Sequence, residues 1–345
     1  MTDPHFTVPD DEARVATDLV ATALAGLEAE SADYEVVGVE DAAGGRGVFS
    51  RVSRVRLRWR RPGTGPGSLV VKMSVAGPNG DAARAGGAYR REALAYRRLL
   101  RRSRVGHPRC YLVQARGDDA SFVLEDLGDH RAVDQLDGLD VDDAATVVDA
   151  LGRLHRQWQD QAELDRIDVR RSVPSSIAPA TLEAGLRALD ERWADRVPAE
   201  TRSAYAALVA DADDLVRAFS EAGPVTLCHG DPRADNLVFA PSGPVVLFDW
   251  QQLAVQFGAA DIAWLLATSL TPEVRRAAEA DLLERYGTPT ARYRLGLVLP
   301  GMAVLALAQR RTDRERTERM VATSLNRIGS AIRDHQPLRA GSPPG

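Results

Sequence analysis

The most constraining feature of the chain is a change of hydrophobic period at Glu125-Asp126-Leu127-Gly128. Upstream, short runs read as strands. Residues 34–41 form one. Residues 54–60 form a second, with Val55, Leu57 and Trp59 on one side and arginines on the other. Residues 69–73 form a short apolar third, and residues 110–114 and 121–124 a hairpin around Gly117-Asp118-Asp119. Two helices accompany them: residues 11–27, with Ala16, Leu19, Val20, Ala23 and Leu27 on one face, and a single long Arg- and Ala-rich helix over residues 81–102. Gly44, Gly45 and Gly47 cluster between the first two strands.

Downstream the strand signals give way to helical ones. Helices are expected over residues 141–159, 179–194 and 198–221. A strand-loop-strand unit follows over residues 224–250, then helices over 258–269, 272–286, 290–308 and 313–334. The expectation is an α+β chain of two lobes. Residues 1–127 make a small β-rich N-lobe, and residues 128–334 a larger, mainly helical C-lobe. Residues 335–345, with Pro337, Pro343 and Pro344, are expected to be a disordered tail.

Composition narrows the function classes. A formal net charge of -5 argues against a nucleic-acid partner. The apolar stretch over residues 295–308 is shorter than a bilayer span, contains Pro300 and is expected as a buried helix. Residues 1–10 lack the basic-then-apolar pattern of a signal peptide. Cys110 and Cys228 supply no disulfide or zinc framework, which fits a reducing, cytoplasmic setting. Of 44 basic residues 43 are arginine, and the exception is Lys72. A lone lysine on an apolar strand, Leu69-Val70-Val71-Lys72, asks what a compact ammonium does there that a planar guanidinium does not.

The chemistry-bearing residues are concentrated in the strand-loop-strand unit. His229-Gly230-Asp231-Pro232-Arg233-Ala234-Asp235-Asn236 lies between two short apolar runs, and Asp249 closes the strand that follows. Phosphoryl transfer needs a carboxylate to take the proton of an attacking hydroxyl, and Asp231 fits. It needs oxygen ligands for magnesium, and Asn236 and Asp249 supply them. Arg233 is placed to neutralise charge on the transferred group. His229 is read as scaffold rather than base, and Asp235 as a brace of the loop itself. In the first third, Gly45, Gly47 and Ser50 are positioned to cradle phosphates, although Ser50 stands where a third glycine is usual. The single glutamate of the 81–102 helix, Glu92, is the expected partner of Lys72. Backbone groups of Glu125 to Leu127 are expected to hydrogen-bond a purine.

Gly-rich hairpin, strand Lys72, helix Glu92, connector, H-G-D-x(4)-N and Asp249 follow one another in an order that resembles the aminoglycoside phosphotransferase and choline kinase-like families, within the protein-kinase-like fold. The resemblance implies Asp231 as catalytic base, Asn236 and Asp249 as magnesium ligands, and Lys72 with Glu92 on the phosphates of ATP or GTP. It also implies that Asp261 braces the catalytic loop and that the helix containing His155 packs beneath it. Asp249-Trp250-Gln251 lacks the glycine of Asp-Phe-Gly, and nine residues separate Gln251 from Asp261, too few for an activation segment. An unregulated kinase of a small hydroxylated acceptor is therefore expected, monomeric or homodimeric and without a membrane partner. An antibiotic is the preferred acceptor, aminoglycoside-like or nucleoside-like; a choline-like, sugar or amino-alcohol metabolite is the alternative. Residues 163–200 hold eight acidic and six basic residues, so they do not single out a polycation. A non-catalytic nucleotide-binding regulator and a protein kinase are the competing readings.

Overall fold

The computed structural model describes residues 9–25, 33–42, 49–169, 173–174, 177–241, 243–310 and 315–336. The chain divides into two compact units. The smaller comprises Met1–Arg102 with His107–Asp129, and the larger Ser103–Gly106 with His130–Gly345.

The smaller unit is built on an antiparallel sheet of β1 (Tyr34–Asp41), β2 (Ser50–Trp59), β3 (Ser68–Ser74), β4 (Cys110–Arg116) and β5 (Asp119–Glu125), in the order β1-β2-β3-β5-β4. One face is covered by α1 (Asp10–Ala25). Ala16, Leu19, Val20, Ala23 and Leu24 of that helix join Val55, Leu57, Leu69, Val71 and Val123 of the strands in one apolar core. The other side of β2 carries the arginines. Arg54 bonds Asp126 and Glu40, and Arg56 bonds Glu40, so alternation along a single strand separates core from ion pairs. Leu27, Gly44, Gly45 and Gly47 lie outside the described residues.

The long helix expected over residues 81–102 is not one helix. α2 (Pro78–Ala85) stops at Gly86-Gly87, and Gly87 takes φ +69°, a left-handed conformation that glycine adopts without strain. α3 (Ala88–Leu94) then runs through a π-helical stretch, Ala95–Leu99, and a 3-10 turn, Leu100–Arg102. Ser103–Gly106 belongs to the larger unit because Gly106 forms a parallel bridge to Val246 and accepts the Leu247 N–H at 2.9 Å.

In the larger unit, β6 (Arg131–Ala132), α4 (Val141–Trp158), α5 (Pro179–Glu191), α6 (Ala199–Ala210) and α7 (Ala212–Glu221) precede β7 (Thr226–Cys228), β8 (Leu237–Phe239), β9 (Val245–Leu247) and β10 (Ala254–Gln256). α8 (Ala259–Ser269), α9 (Pro272–Tyr286), α10 (Thr290–Gly296), α11 (Val298–Ala308) and α12 (Glu315–Asp334) complete it. The expected 198–221 helix is broken at Asp211. The 19-residue helical run Thr290–Ala308 is long and apolar enough to cross a membrane by length and composition; 61% of its apolar window is buried inside the protein, as a core element requires. His335 and Gln336, expected to open a disordered tail, are instead tied into the larger unit. His335 bonds Glu279 at 2.6 Å and packs edge-on against Tyr293, and Gln336 donates to the Ala204 carbonyl at 3.2 Å. Residues 337–345 lie outside the described residues.

Candidate active site

Each unit carries its own cluster of functional side chains. In the smaller unit, β3 places Lys72 opposite Val52 of β2 and Phe122 of β5. Its ammonium donates to Glu92 Oε1 of α3 at 2.8 Å, with both side chains buried. Tyr89, one turn before Glu92, ties the same helix to the strands: its hydroxyl donates to the Phe49 carbonyl and accepts the Val75 N–H at 3.3 Å. Ser50 opens β2 and pairs with Ser74. Among the residues expected to meet a purine, the Glu125 N–H is already committed to the Arg109 carbonyl at 2.8 Å, and Glu125 Oε2 accepts the Arg109 N–H at 2.9 Å. The Glu125 N–H is therefore engaged at the sheet edge and is not available as a donor. Asp126 is fixed by Arg54 and Ser68 at 2.6 and 2.5 Å. Leu127 follows it, before Gly128.

In the larger unit, residues 229–236 emerge from β7 and return into β8. Gly230 takes φ +83°, which lets the chain reverse directly before Asp231. The β8–β9 ladder pairs Leu237 with Leu247 and continues one step further, with Phe248 N–H donating to the Asn236 carbonyl at 3.1 Å. Asn236 and Asp249 are thereby brought to the same end of one hairpin. Asp249 holds φ +63°, a left-handed conformation that is costly for a residue with a side chain and recurs at functional positions.

Asp261, at the start of α8, sits at the centre of the loop's support. It is fully buried and accepts the N–H groups of His229 at 2.7 Å and Gly230 at 2.9 Å. It also accepts from His155 Nε2 at 3.2 Å, and His155 Nδ1 in turn meets the Tyr286 hydroxyl at 2.8 Å. Burial works to raise the Asp261 carboxyl, but these bonds and the nearby histidines hold it below the usual carboxylate range. His229 spends both ring nitrogens: Nε2 donates to the Phe248 carbonyl at 2.9 Å and Nδ1 accepts the Asp231 N–H at 3.3 Å. Burial pushes it down, towards the neutral form that this pattern requires. With both nitrogens engaged, it has no lone pair left for proton transfer.

Asp231 is held by one oxygen. Asn236 Nδ2 donates to Asp231 Oδ2 at 3.0 Å and to the Asp231 carbonyl at 2.9 Å. The other oxygen, Oδ1, is buried and has no hydrogen-bond partner among the described residues. Arg233 Nε lies 3.7 Å from Oδ2, too far for a hydrogen bond but close enough for its charge to act. Burial raises the Asp231 carboxyl above its usual range, with Arg233 acting in the opposite sense. Trp264 brings its indole N–H towards the same carboxylate without reaching hydrogen-bond geometry. Sequence reasoning missed Trp264. The signal was its spacing of three from Asp261, which puts both on one face of α8.

With Nδ2 committed to Asp231, Asn236 has its amide oxygen left to offer a cation. Together with the Asp249 carboxylate it makes a hard, oxygen-only donor pair, the type that magnesium takes. These donors fit a hard divalent cation, which they would hold through oxygen alone.

A family model described as the Ecdysteroid kinase-like family matches residues 44–292. Among solved structures, the chain is similar to amicoumacin kinase hAmiN in complex with AMP-PNP, Ca2+ and Ami, with a TM-score of 0.57 and 15% identity, covering 96% of this chain and 95% of that one. It is also similar to LicA in complex with AMP (TM-score 0.52, 16% identity, 88% and 91% covered). Spectinomycin phosphotransferase APH(9)-Ia, in complex with ADP and spectinomycin, gives a TM-score of 0.51 at 13% identity, with 87% and 94% covered. Identities this low establish the protein-kinase-like fold alone. No curated protein matches the chain in sequence.

Proposed function

The chain belongs to the ecdysteroid kinase-like family and is a small-molecule phosphotransferase, and from that premise we propose that Asp231 accepts the proton of an acceptor hydroxyl as that oxygen attacks the γ-phosphorus of ATP. The observation that carries the reading is the buried, unpartnered Asp231 Oδ1 beside an Oδ2 clamped by Asn236. A buried carboxylate oxygen without a donor is costly, and an incoming hydroxyl supplies the missing hydrogen bond. The clamp sets which oxygen faces the acceptor, and the raised pKa makes that oxygen a better proton acceptor than an ordinary aspartate.

The other residues take supporting roles. Arg233 balances charge next to Asp231. Asn236 and Asp249 would hold a divalent ion, which would supply charge neutralisation at the nucleotide phosphates. Lys72, oriented by Glu92, is assigned to phosphate oxygens, and Ser50 with the glycines at 45 and 47 is assigned to the same phosphates. The Glu125 carbonyl and the Leu127 N–H are the connector groups left for the base. ATP is the donor of choice, and GTP is the alternative to be tested.

For the acceptor, the names of two fold relatives specify antibiotics, amicoumacin and spectinomycin, and this favours inactivation of a hydroxylated antibiotic. The family description names a steroid instead, so a hydroxylated steroid belongs beside choline-like and sugar alcohols among the alternatives.

The test is incubation of the protein and magnesium with ATP or GTP and a panel of aminoglycosides, other hydroxylated antibiotics, steroid alcohols, sugars and amino alcohols. A mass gain of one phosphate on one acceptor, abolished in Asp231→Ala, is the expected result. Nucleotide binding with no transfer to any acceptor or to water would overturn the enzyme reading in favour of a regulator.

A further inference from the structure

Arg327 of α12 is buried, 5% exposed, and has no carboxylate at ion-pair distance among the described residues. Its guanidinium is instead spread over backbone carbonyls. Nη1 donates to Gln135 at 2.7 Å and Thr268 at 3.1 Å, and Nη2 to Leu136 at 2.8 Å and Asp137 at 3.2 Å. Burial pushes its pKa down, so the charge is held at a cost that needs a reason.

Both ends of this fan lead to the catalytic loop. Gln135 donates its backbone N–H to Asp235 Oδ1 at 3.2 Å. Thr268 is followed by Ser269, whose hydroxyl accepts the Ala234 N–H at 3.0 Å. Gln135 Nε2 also donates to the Thr268 carbonyl at 2.7 Å, which joins the two routes. Ala234 and Asp235 are the last two of the four residues between the base Asp231 and Asn236. Packing here is close: Gly138 has φ +84°, and a Cβ there would lie 2.7 Å from the Ser269 carbonyl oxygen and 3.0 Å from Arg327 Nη2. A second arginine of α12, Arg316, reaches the same turn. It donates to Asp134 Oδ1 at 2.9 Å, the oxygen that also accepts the Leu136 N–H at 2.9 Å.

We propose that Arg327 is a positioning residue for phosphoryl transfer: through the 134–138 turn and the Thr268–Ser269 pair it fixes Ala234 and Asp235, and so sets the relative placement of Asp231 and Asn236. The assignment rests on the catalytic-loop reading above. An arginine is required because four carbonyls are met at once by a rigid planar donor group. A lysine has three donors on one atom and cannot span them. Arg316 secures the same turn from the exposed end of the helix.

Three variants separate this role from simple docking of α12. Arg327→Lys and Arg316→Ala act on the 134–138 turn. Arg276→Ala is the control, because Arg276 ties α9 to α12 through Asp334 and Ser330 and touches nothing in the turn. Amide hydrogen exchange of the 229–239 segment is read by mass spectrometry, together with kcat and KM for MgATP from ADP release. Expected are exchange at least tenfold faster in that segment and kcat at least tenfold lower in Arg327→Lys, with KM for MgATP changed less than twofold. Arg316→Ala shows smaller changes of the same sign, and Arg276→Ala shows neither in that segment. The half-exposed Arg316 keeps the test valid where Arg327→Lys does not fold. Unchanged exchange in the Arg316 and Arg327 variants, or an equal change in Arg276→Ala, overturns the positioning role. Faster exchange in the Arg327 and Arg316 variants, when the wild type releases no ADP with any acceptor of the panel or with water, leaves the positioning intact and overturns the catalytic reading instead.

Discussion

Lys72 Nζ lies 2.8 Å from Glu92 Oε1, on side chains that are 10% and 1% exposed. At such burial the two charges depend on each other. Removing one partner strands the other in a poorly hydrated site, at a cost of about 3–5 kcal/mol, whereas replacing both with apolar groups is close to neutral. Glu92→Ala is therefore expected to lower Tm sharply, and Lys72→Met/Glu92→Leu to recover most of the loss without recovering activity. Lys72→Arg keeps the charge but places a wide fork where an ammonium fits, and should lose activity. Thermal melts and ADP release check the three together. Full activity in Lys72→Arg would remove Lys72 from the phosphate site.

The pH dependence of turnover follows from Asp231. Its carboxyl is raised by burial, so the acid limb of kcat/KM is expected above the usual aspartate range near 3.9. Arg233 opposes that shift. Arg233→Gln removes the opposing charge and should move the acid limb to still higher pH, whereas a mere loss of phosphate contact would lower the plateau without moving the limb. Asp231→Asn should lower kcat by roughly a hundredfold to ten thousandfold while nucleotide affinity, read by calorimetry, is retained. A wild-type limb that does not move in Arg233→Gln removes the coupling between the two residues.

Much of this arrangement was legible because it is local. Alternation along β2 and the apolar setting of Lys72 are nearest-neighbour signals, and Glu92 is the single glutamate in its stretch. The loop from His229 to Asn236 carries its functional side chains within eight consecutive residues. What was missed is non-local or overridden. Glycines 86 and 87 were visible in the sequence, but Arg- and Ala-rich flanks on both sides masked the break they impose. The two-residue β6 exists only through its pairing with Val238 and Phe239. Arg327 stands in a helix with Arg316, Arg319 and Arg333, and nothing nearby marks it as the one whose donors turn inward. The engagement of the Glu125 N–H is not legible in the sequence, because the strand signal before it begins only at Cys110. In the structure the pairing reaches back to Arg109.

His229 gives the protein an acid-sensitive element. Its folded-state pKa is lowered, chiefly by burial, so below the unfolded value of about 6.5 the unfolded chain binds more protons than the folded one. The stabilisation from keeping His229 neutral is complete above about pH 6.5 and is lost as pH falls towards the lower folded pKa. His229→Gln retains polar capacity without titrating. It is expected to flatten that part of the stability-against-pH curve measured by urea unfolding, at the cost of some stability at pH 8. An equally steep decline in the variant would assign the acid sensitivity to other groups.

Gly258 makes the support of Asp261 possible by having no side chain. A Cβ at this position would lie 2.2 Å from the Tyr286 hydroxyl oxygen and 2.8 Å from His155 Nδ1. Gly258→Ala therefore forces the Tyr286–His155 hydrogen bond apart, with an overpacking cost of about 1–3 kcal/mol. His155 then loses the partner that orients its other nitrogen towards Asp261, and Asp261 is the group that holds the His229 and Gly230 amides. Turnover should fall along with stability. Tyr286→Phe removes the hydroxyl that the new methyl would strike, and alone costs about one hydrogen bond, roughly 0.5–1.5 kcal/mol. The two substitutions cannot be independent, because both act on one contact. Gly258→Ala/Tyr286→Phe should be less destabilised than the sum of the single variants when all four proteins are unfolded in urea. Strict additivity would mean that the methyl is accommodated elsewhere and that Gly258 is not there for the Tyr286–His155 pair.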